Sequence, residues 1–407
     1  MSEHRHVLRS RFALLATASV CSGLGNGFVA AAFPLLAASL TTSPIAVVGV
    51  TVAAYLPWPL FGLLGGVVGD RYTPRRTVAW VESARAIVLL GFAVLVATGR
   101  QSIALVYVVV FLVTAGDTVF TGVVNSLVPR LVAPERLAHA NGRLLTAQTS
   151  SENAIGPAIG GALFVLLAAA PFALDGASFI LSGVLTGLAA RSLGAGRTER
   201  ATSTFRADLH EGVRSVRGSP ILRRLLLVVT GFAAAQAMMT GPLVLYTTRT
   251  LHMSPTGFGL LLGISSLGNV AGGIFAGRLV ERMGAVPILA RAGALIAAAY
   301  LVAGLAPNAL VATAALTIEA VGVAVGVVGH ITVRQRLVDP ALLGRVGNLF
   351  RTATMGIMPI GALIGGILAA SLGFRSPLLA AAATQTLVVL CVLPGLGRLA
   401  TLEVATS

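Results

Sequence analysis

The chain has 407 residues, of which 56% are hydrophobic and only 11% charged, and its mean hydropathy is +0.90. So few charges cannot cover a water-soluble body of this size, and the bilayer is the expected solvent. The net charge of +15 comes entirely from arginine, in short clusters between apolar runs rather than on one solvated face, which argues against a nucleic-acid partner.

A bilayer-spanning helix needs about 20 mostly apolar residues. Twelve such stretches are expected, near 12–39, 45–68, 77–98, 103–127, 144–169, 173–190, 221–247, 256–279, 286–306, 309–333, 349–371 and 377–396. The basic N-terminus before the first run could mimic a signal peptide, but that run is too long and eleven more follow, so an uncleaved first span is expected. Ser43-Pro44, Ser219-Pro220, Ser254-Pro255 and Ser376-Pro377 each place an N-cap hydroxyl before a proline suited to the first helical turn.

Taken in chain order, span one carries Asn26, and span two ends in "GDRYTPRR", with Gly66 just before it and Asp70, Arg71, Arg75 and Arg76 within it. Span three carries Glu82 and Arg85, three residues apart on one helix face and able to pair locally. Span four carries Asp117. Span five carries Glu152 and the "GPAIGG" segment. There Gly156 and Gly160 share one side of the helix and allow close packing with Gly161, while Pro157 frees a carbonyl and favours a hinge.

The longest polar stretch, residues 191–220, contains "FRADLHEGVRSVR", which can form a short amphipathic helix or a linker. It separates an N-terminal six-span half, 1–190, from a C-terminal one, 221–407. In the second half, span seven carries Gln236, span eight ends in "GRLVERMG" with Gly277, Glu281 and Arg282, span nine carries Arg291, and span ten carries Glu319 and, near its end, His330.

The halves repeat one another at a spacing of roughly 205 to 211 residues. "GVVGDRYT" matches "GRLVERMG", "RLVAPERL" matches "RLVDPALL", and "ARA" recurs around Arg85 and Arg291. "GPAIGG" corresponds to the "PIGALIGG" region from Pro359. Parallel six-span repeats are an architecture of secondary transporters. Arginines crowd alternate connections, while the others receive only Arg100, Arg249 and Arg375, so both termini are expected in the cytoplasm.

Ionisable residues inside a membrane normally face a partner or a wet cavity. Glu82, Arg85 and Arg291 are expected to be structural intramembrane charges. A carboxylate shielded from water favours its neutral form, which suits such a group to take up and release a proton. Cys21 and Cys391 support neither a disulfide nor a thiolate metal site, and no metal-binding spacing occurs. No HExxH, GxSxG or Walker-type phosphate loop is present, so an enzyme is not expected.

"GGVVGDRYTPRR" and "GRLVERMG" resemble the signature loops of the major facilitator superfamily. "NSLVPRLVAPERLAHANGRLLTAQ" leading into "GPAIGGALF", with "RQRLVDPALLGRVGNLFRTA" leading into "PIGALIGGILA", is similar to the subgroup of enterobactin-type siderophore exporters and macrolide-efflux proteins. The resemblance implies an all-α membrane fold of twelve helices in two pseudo-symmetric six-helix bundles. It also implies a central cavity lined by spans one, four, seven and ten, which makes Asn26, Asp117, Gln236 and Glu319, with Glu152, the expected substrate and proton-coupling residues. The two signature loops are then gating loops, with Asp70 received by a helix of the opposite half.

The function so implied is proton-coupled efflux, by alternating access, of a small amphipathic molecule such as a drug, macrolide, siderophore or other secondary metabolite. A flippase for lysophospholipid or another lipid-like substrate, or an uptake permease for a polar solute, is the alternative. The expected setting is a bacterial cytoplasmic membrane, as a functional monomer, with no cofactor or metal and with the proton gradient as energy source.

Overall fold

In hydrocarbon every backbone N–H and C=O has to be bonded internally, and apolar stretches of this length satisfy that as helices. The computed structural model describes residues 2–61, 73–132, 137–191, 205–339, 342–392 and 395, and no strand occurs among them. Span one is Ser2–Leu40; span two is Pro44–Tyr55, resumed at Pro57–Phe61; span three is Pro74–Ala97; span four is Ile103–Leu131. Span five is assembled from Leu137–Thr149, a π-helical turn Ser150–Ile155 and Gly156–Leu166, and span six is Ala170–Ala189.

After a linker helix, Phe205–Gly218, span seven is Pro220–Thr240 with a continuation at Leu243–Thr250. Spans eight to eleven are Pro255–Met283, Ala285–Leu305, Ala309–Leu337 and Leu343–Leu372. Span twelve is Ser376–Leu387, extended by the π-helical turn Val388–Val392. Ten of these helices are individually long and apolar enough to cross a membrane; span five reaches that length only through its π turn, and span twelve is shorter.

The starts follow their capping chemistry. Ser102, Ser219 and Asn308 accept hydrogen bonds from Leu105, Leu222 and Val311 N–H groups, and Ser43 and Ser254 do the same for Ala46 and Gly257. Ser376 departs from expectation. Span twelve already includes it, and its hydroxyl donates to the Leu368 and Gly373 carbonyls instead of receiving an N–H.

Two compact units result. Unit 1 comprises Met1–Thr42, Ala53–Arg200 and Met253–Gly263, and unit 2 comprises Ser43–Val52, Ala201–His252 and Ile264–Ser407. Within unit 1, span one packs on five and six, and span three on four and six. Within unit 2 the same pairings recur six positions later: span seven on eleven and twelve, span nine on ten and twelve.

Lipid tails are as apolar as leucine, so close van der Waals packing, not exclusion of water, holds such helices together. Phe33, Phe92 and Phe172 join spans one, three and six, with ring centroids 5.0 to 5.9 Å apart. The linker helix belongs to unit 2. It packs on span eleven, with Val216 buried and Glu211 paired to Arg345.

Candidate functional site

Arg85 is the largest fully buried side chain of the protein among the described residues. Its Nη1 donates to Glu82 Oε1 at 2.8 Å, and its Nη2 donates both to Asn26 Oδ1 at 3.1 Å and to Asp117 Oδ1 at 3.2 Å. The guanidinium also lies over the Phe179 ring, 3.7 Å from its centroid. One side chain on span three thus ties together spans one, four and six. Three of the expected residues, Asn26, Asp117 and Arg85, form one constellation, although the sequence places Arg85 with the structural charges and the other two with the cavity.

A carboxylate that the sequence reading omits completes the site. Asp175 on span six is fully buried and within electrostatic reach of Arg85. Its Oδ1 accepts from Ser178 Oγ at 3.1 Å, while Oδ2 makes no hydrogen bond among the described residues. It is seated against Gly25 of span one, where a Cβ would collide with the carboxylate. The expected span six begins at 173 and leaves Asp175 two residues from its end, so the mid-span test that selects Asp117 passes over it; the helix in fact begins at Ala170.

Glu152 enters from span five, where the π-helical turn Ser150–Ile155 carries it. An extra residue per turn rotates the following side chains, and such turns recur at functional sites. Glu152 is half-buried and within electrostatic reach of both Asp117 and Arg85. Spans one and five approach closely beside it, since a Cβ on Gly156 would lie 2.6 Å from Gly27 Cα. Gly160 continues the same seam against Phe28, and Pro157 is buried next to it. Gly161 faces another way, against Gly259 and Pro255 of span eight's first turns, which belong to unit 1.

The electrostatics are one-sided. Among the described residues, the cation Arg85 faces four carboxylates, Glu82, Asp117, Glu152 and Asp175. Fully ionised, that set carries 1 − 4 = −3. Low-dielectric surroundings do not tolerate such an excess, so bound protons or a cationic ligand have to offset it.

The remaining expected cavity residues belong to unit 2. Glu319 is buried in unit 2, where its Oε1 accepts from Tyr300 of span nine at 2.9 Å. Gln236 is half-buried in the same unit, and Gln385 of span twelve, another omission of the sequence reading, is fully buried with no hydrogen bond to its amide among the described residues. His330 bonds its own helix, Nδ1 to the Gly326 carbonyl at 3.3 Å.

Arg291 requires a correction. It is exposed and makes no ion pair among the described residues, unlike its sequence counterpart Arg85. The reason is local: three residues before it stands Ile288, where span three has Glu82, so no acid draws the guanidinium inward. Of the residues expected in gating loops, Gly66, Asp70 and Arg71 lie outside the described residues. Arg75 and Arg76 are exposed on the first turn of span three. Gly277, Glu281 and Arg282 are exposed at the end of span eight, and no described atom lies within 4 Å of a Cβ built on Gly277.

The paired six-span arrangement and a charge cluster inside the membrane-spanning helices define a multi-pass membrane transporter of the major facilitator fold. The profile of the transmembrane secretion effector family matches residues 5–404, and the chain belongs to that family. It is 26% identical over 388 residues to the multidrug efflux pump Tap of Mycolicibacterium fortuitum, with 91% of this chain and 92% of the relative covered. It is 28% identical over 384 residues to an uncharacterised transporter of the same superfamily from Sinorhizobium fredii, with 88% and 87% covered.

Among solved structures it is similar to an inward-facing bacterial homologue of the lysosomal transporter Spinster, with a TM-score of 0.74, 15% identity and 97% of each chain covered. It is also similar to an inward-facing bacterial homologue of the iron transporter ferroportin, with a TM-score of 0.73, 18% identity, and 95% of this chain and 98% of that one covered.

Proposed function

We propose that this transporter is a proton-coupled exporter of small amphipathic molecules that carry positive charge, working by alternating access as a monomer in a bacterial cytoplasmic membrane. Both termini face the cytoplasm, and the proton gradient is the energy source, with no bound cofactor. The observation that carries this reading is the imbalance of four carboxylates around Arg85. A cationic ligand entering the cluster supplies the charge that protons supply in its absence, so the two compete and their movements are linked. The likeness to an efflux pump supports the outward direction.

The energetics suffice. One proton moving down roughly 180 mV releases about 4 kcal/mol, which sustains a substrate gradient of about a thousandfold. The test is uptake into inverted vesicles of a cationic dye, a macrolide and a catecholate siderophore, with and without ionophores that collapse the pH gradient and the membrane potential. Accumulation that persists after both are collapsed overturns proton coupling. Accumulation of the siderophore with none of the dye overturns the preference for cations.

A further inference from the structure

We propose that unit 1 carries a binding site for one anionic phospholipid, in a groove between spans three and six. Two adjoining hollows of about 330 and 430 Å³ share Arg75, Ala79 and Arg191. They form a single channel that opens where span three begins and span six ends.

The mouth is built for an anion. Arg75 and Arg76 stand on the first turn of span three, and Arg191 lies just past the end of span six, so three guanidinium groups gather at one membrane face. All three are exposed, and none has an acidic partner among the described residues. Span three has no acid in its first turn, and its N-cap residue, Thr73, makes no side-chain capping bond. The Thr73 hydroxyl also lines the mouth and is buried without a hydrogen-bond partner among the described residues. Arginines at the positive end of a 24-residue helix are unfavourable by themselves, and a phosphate between them reverses the sign of that interaction.

Below the mouth the groove changes character. Its walls are Ile180, Val184 and Leu188, each between 41% and 55% exposed and all on span six. Gly187 lies in the floor, where an added Cβ would meet nothing closer than Arg75 Cγ at 3.9 Å. The apolar run extends from Arg75 to the level of Glu82, seven residues, or about 10 Å at the helical rise. Trp80, 78% exposed on the same helix, is an interfacial anchor at the headgroup level. A cluster of three guanidinium groups continuous with a trough walled by apolar side chains fits a glycerophospholipid better than a free anion. The inner end of the trough reaches Glu82 and Phe179, the side chains that hold Arg85, so the seated acyl chain packs against the supports of the charge cluster.

Native mass spectrometry of the purified full-length chain, titrated with phosphatidylglycerol and with phosphatidylcholine, tests this. Phosphatidylglycerol binds about tenfold more tightly than phosphatidylcholine, and Arg76→Gln/Arg191→Gln removes that preference while leaving phosphatidylcholine binding unchanged. Gly187→Leu, which fills the trough, weakens both lipids. Equal affinity of the wild-type chain for the two lipids overturns the proposal, and so does a preference that survives the double substitution. Displacement of phosphatidylglycerol by millimolar glycerol phosphate also overturns it, by reducing the site to one for free anions. If the double variant fails to fold, the wild-type lipid comparison and Gly187→Leu decide.

Discussion

Arg85 Nη2 donates to Asp117 Oδ1 at 3.2 Å and, from the same nitrogen, to Asn26 Oδ1 at 3.1 Å. A single guanidinium nitrogen therefore links the span that carries Asp117 to the span that carries Asn26, and any change in the charge of Asp117 alters the bond to Asn26. The cluster behaves as a unit, and substitutions within it are not additive.

Removing the cation alone is the most disruptive change. Arg85→Gln leaves Glu82 buried without its partner, an effect of about 3–5 kcal/mol for a buried pair broken on one side. Glu82→Gln/Arg85→Gln removes both charges and recovers much of that loss. Melting temperatures in detergent are expected to rank wild type above the double variant and the double variant above Arg85→Gln.

Asp175 is expected to matter for coupling more than for folding. Asp175→Asn keeps the shape and the acceptor for Ser178 but cannot exchange a proton. The variant is expected to reach the membrane at normal levels and to release fewer protons than wild type when a cationic substrate is added in weakly buffered detergent solution. Proton release equal to that of wild type removes Asp175 from the coupling group.

The crossing of spans one and five tolerates no side chain at its centre. Gly27→Val places methyl groups where Glu152 O and Gly156 Cα already lie 2.6 and 2.7 Å from a Cβ, a conflict of side chain with backbone that no rotamer change relieves. Overpacking of this kind costs about 1–3 kcal/mol or more. Gly91→Ala in span three, with nothing within 4 Å, is the control, expected to gain up to about 1 kcal/mol in helix propensity. Thermal melts of the two variants are expected to move in opposite directions.

In unit 2, Tyr300→Phe deprives the buried Glu319 of its hydroxyl donor. The loss is about 1–3 kcal/mol, the cost of leaving a buried polar group unsatisfied. Tyr300→Phe/Glu319→Leu, which removes the polar group as well, is expected to melt above Tyr300→Phe alone. By contrast Glu211→Gln, which breaks an exposed pair with Arg345, shifts stability by less than about 1 kcal/mol.

The helices were legible because hydrocarbon leaves a chain few alternatives, and the Glu82–Arg85 pair was legible because three residues of helix bring its members together without any tertiary information. Asp175 was not. The expected span six began at 173, which put that acid at a helix end, where acids are ordinary; the helix begins at Ala170, a turn earlier, and carries it inside. The π turn at Ser150–Ile155 has no composition of its own, and the partners that fix Glu152 come from spans 30 to 130 residues away, so nothing nearby in the chain announces it. Arg291 shows the opposite error. Its repeated "ARA" context suggested a buried role, but the role depends on the acid three residues before, which the repeat does not preserve.

The i,i+3 spacing of Glu82 and Arg85 also bears on how the protein is made. Span three enters the bilayer during synthesis before spans four, five and six exist, and a lone arginine would oppose that step by about 2.5–3.5 kcal/mol. With its counter-ion three residues away on the same helix, Arg85 enters as part of a neutral pair, while Arg75 and Arg76 stay at the end of the span. Asp117, Glu152 and Asp175 then arrive one helix at a time, each meeting a positive charge already waiting in the membrane.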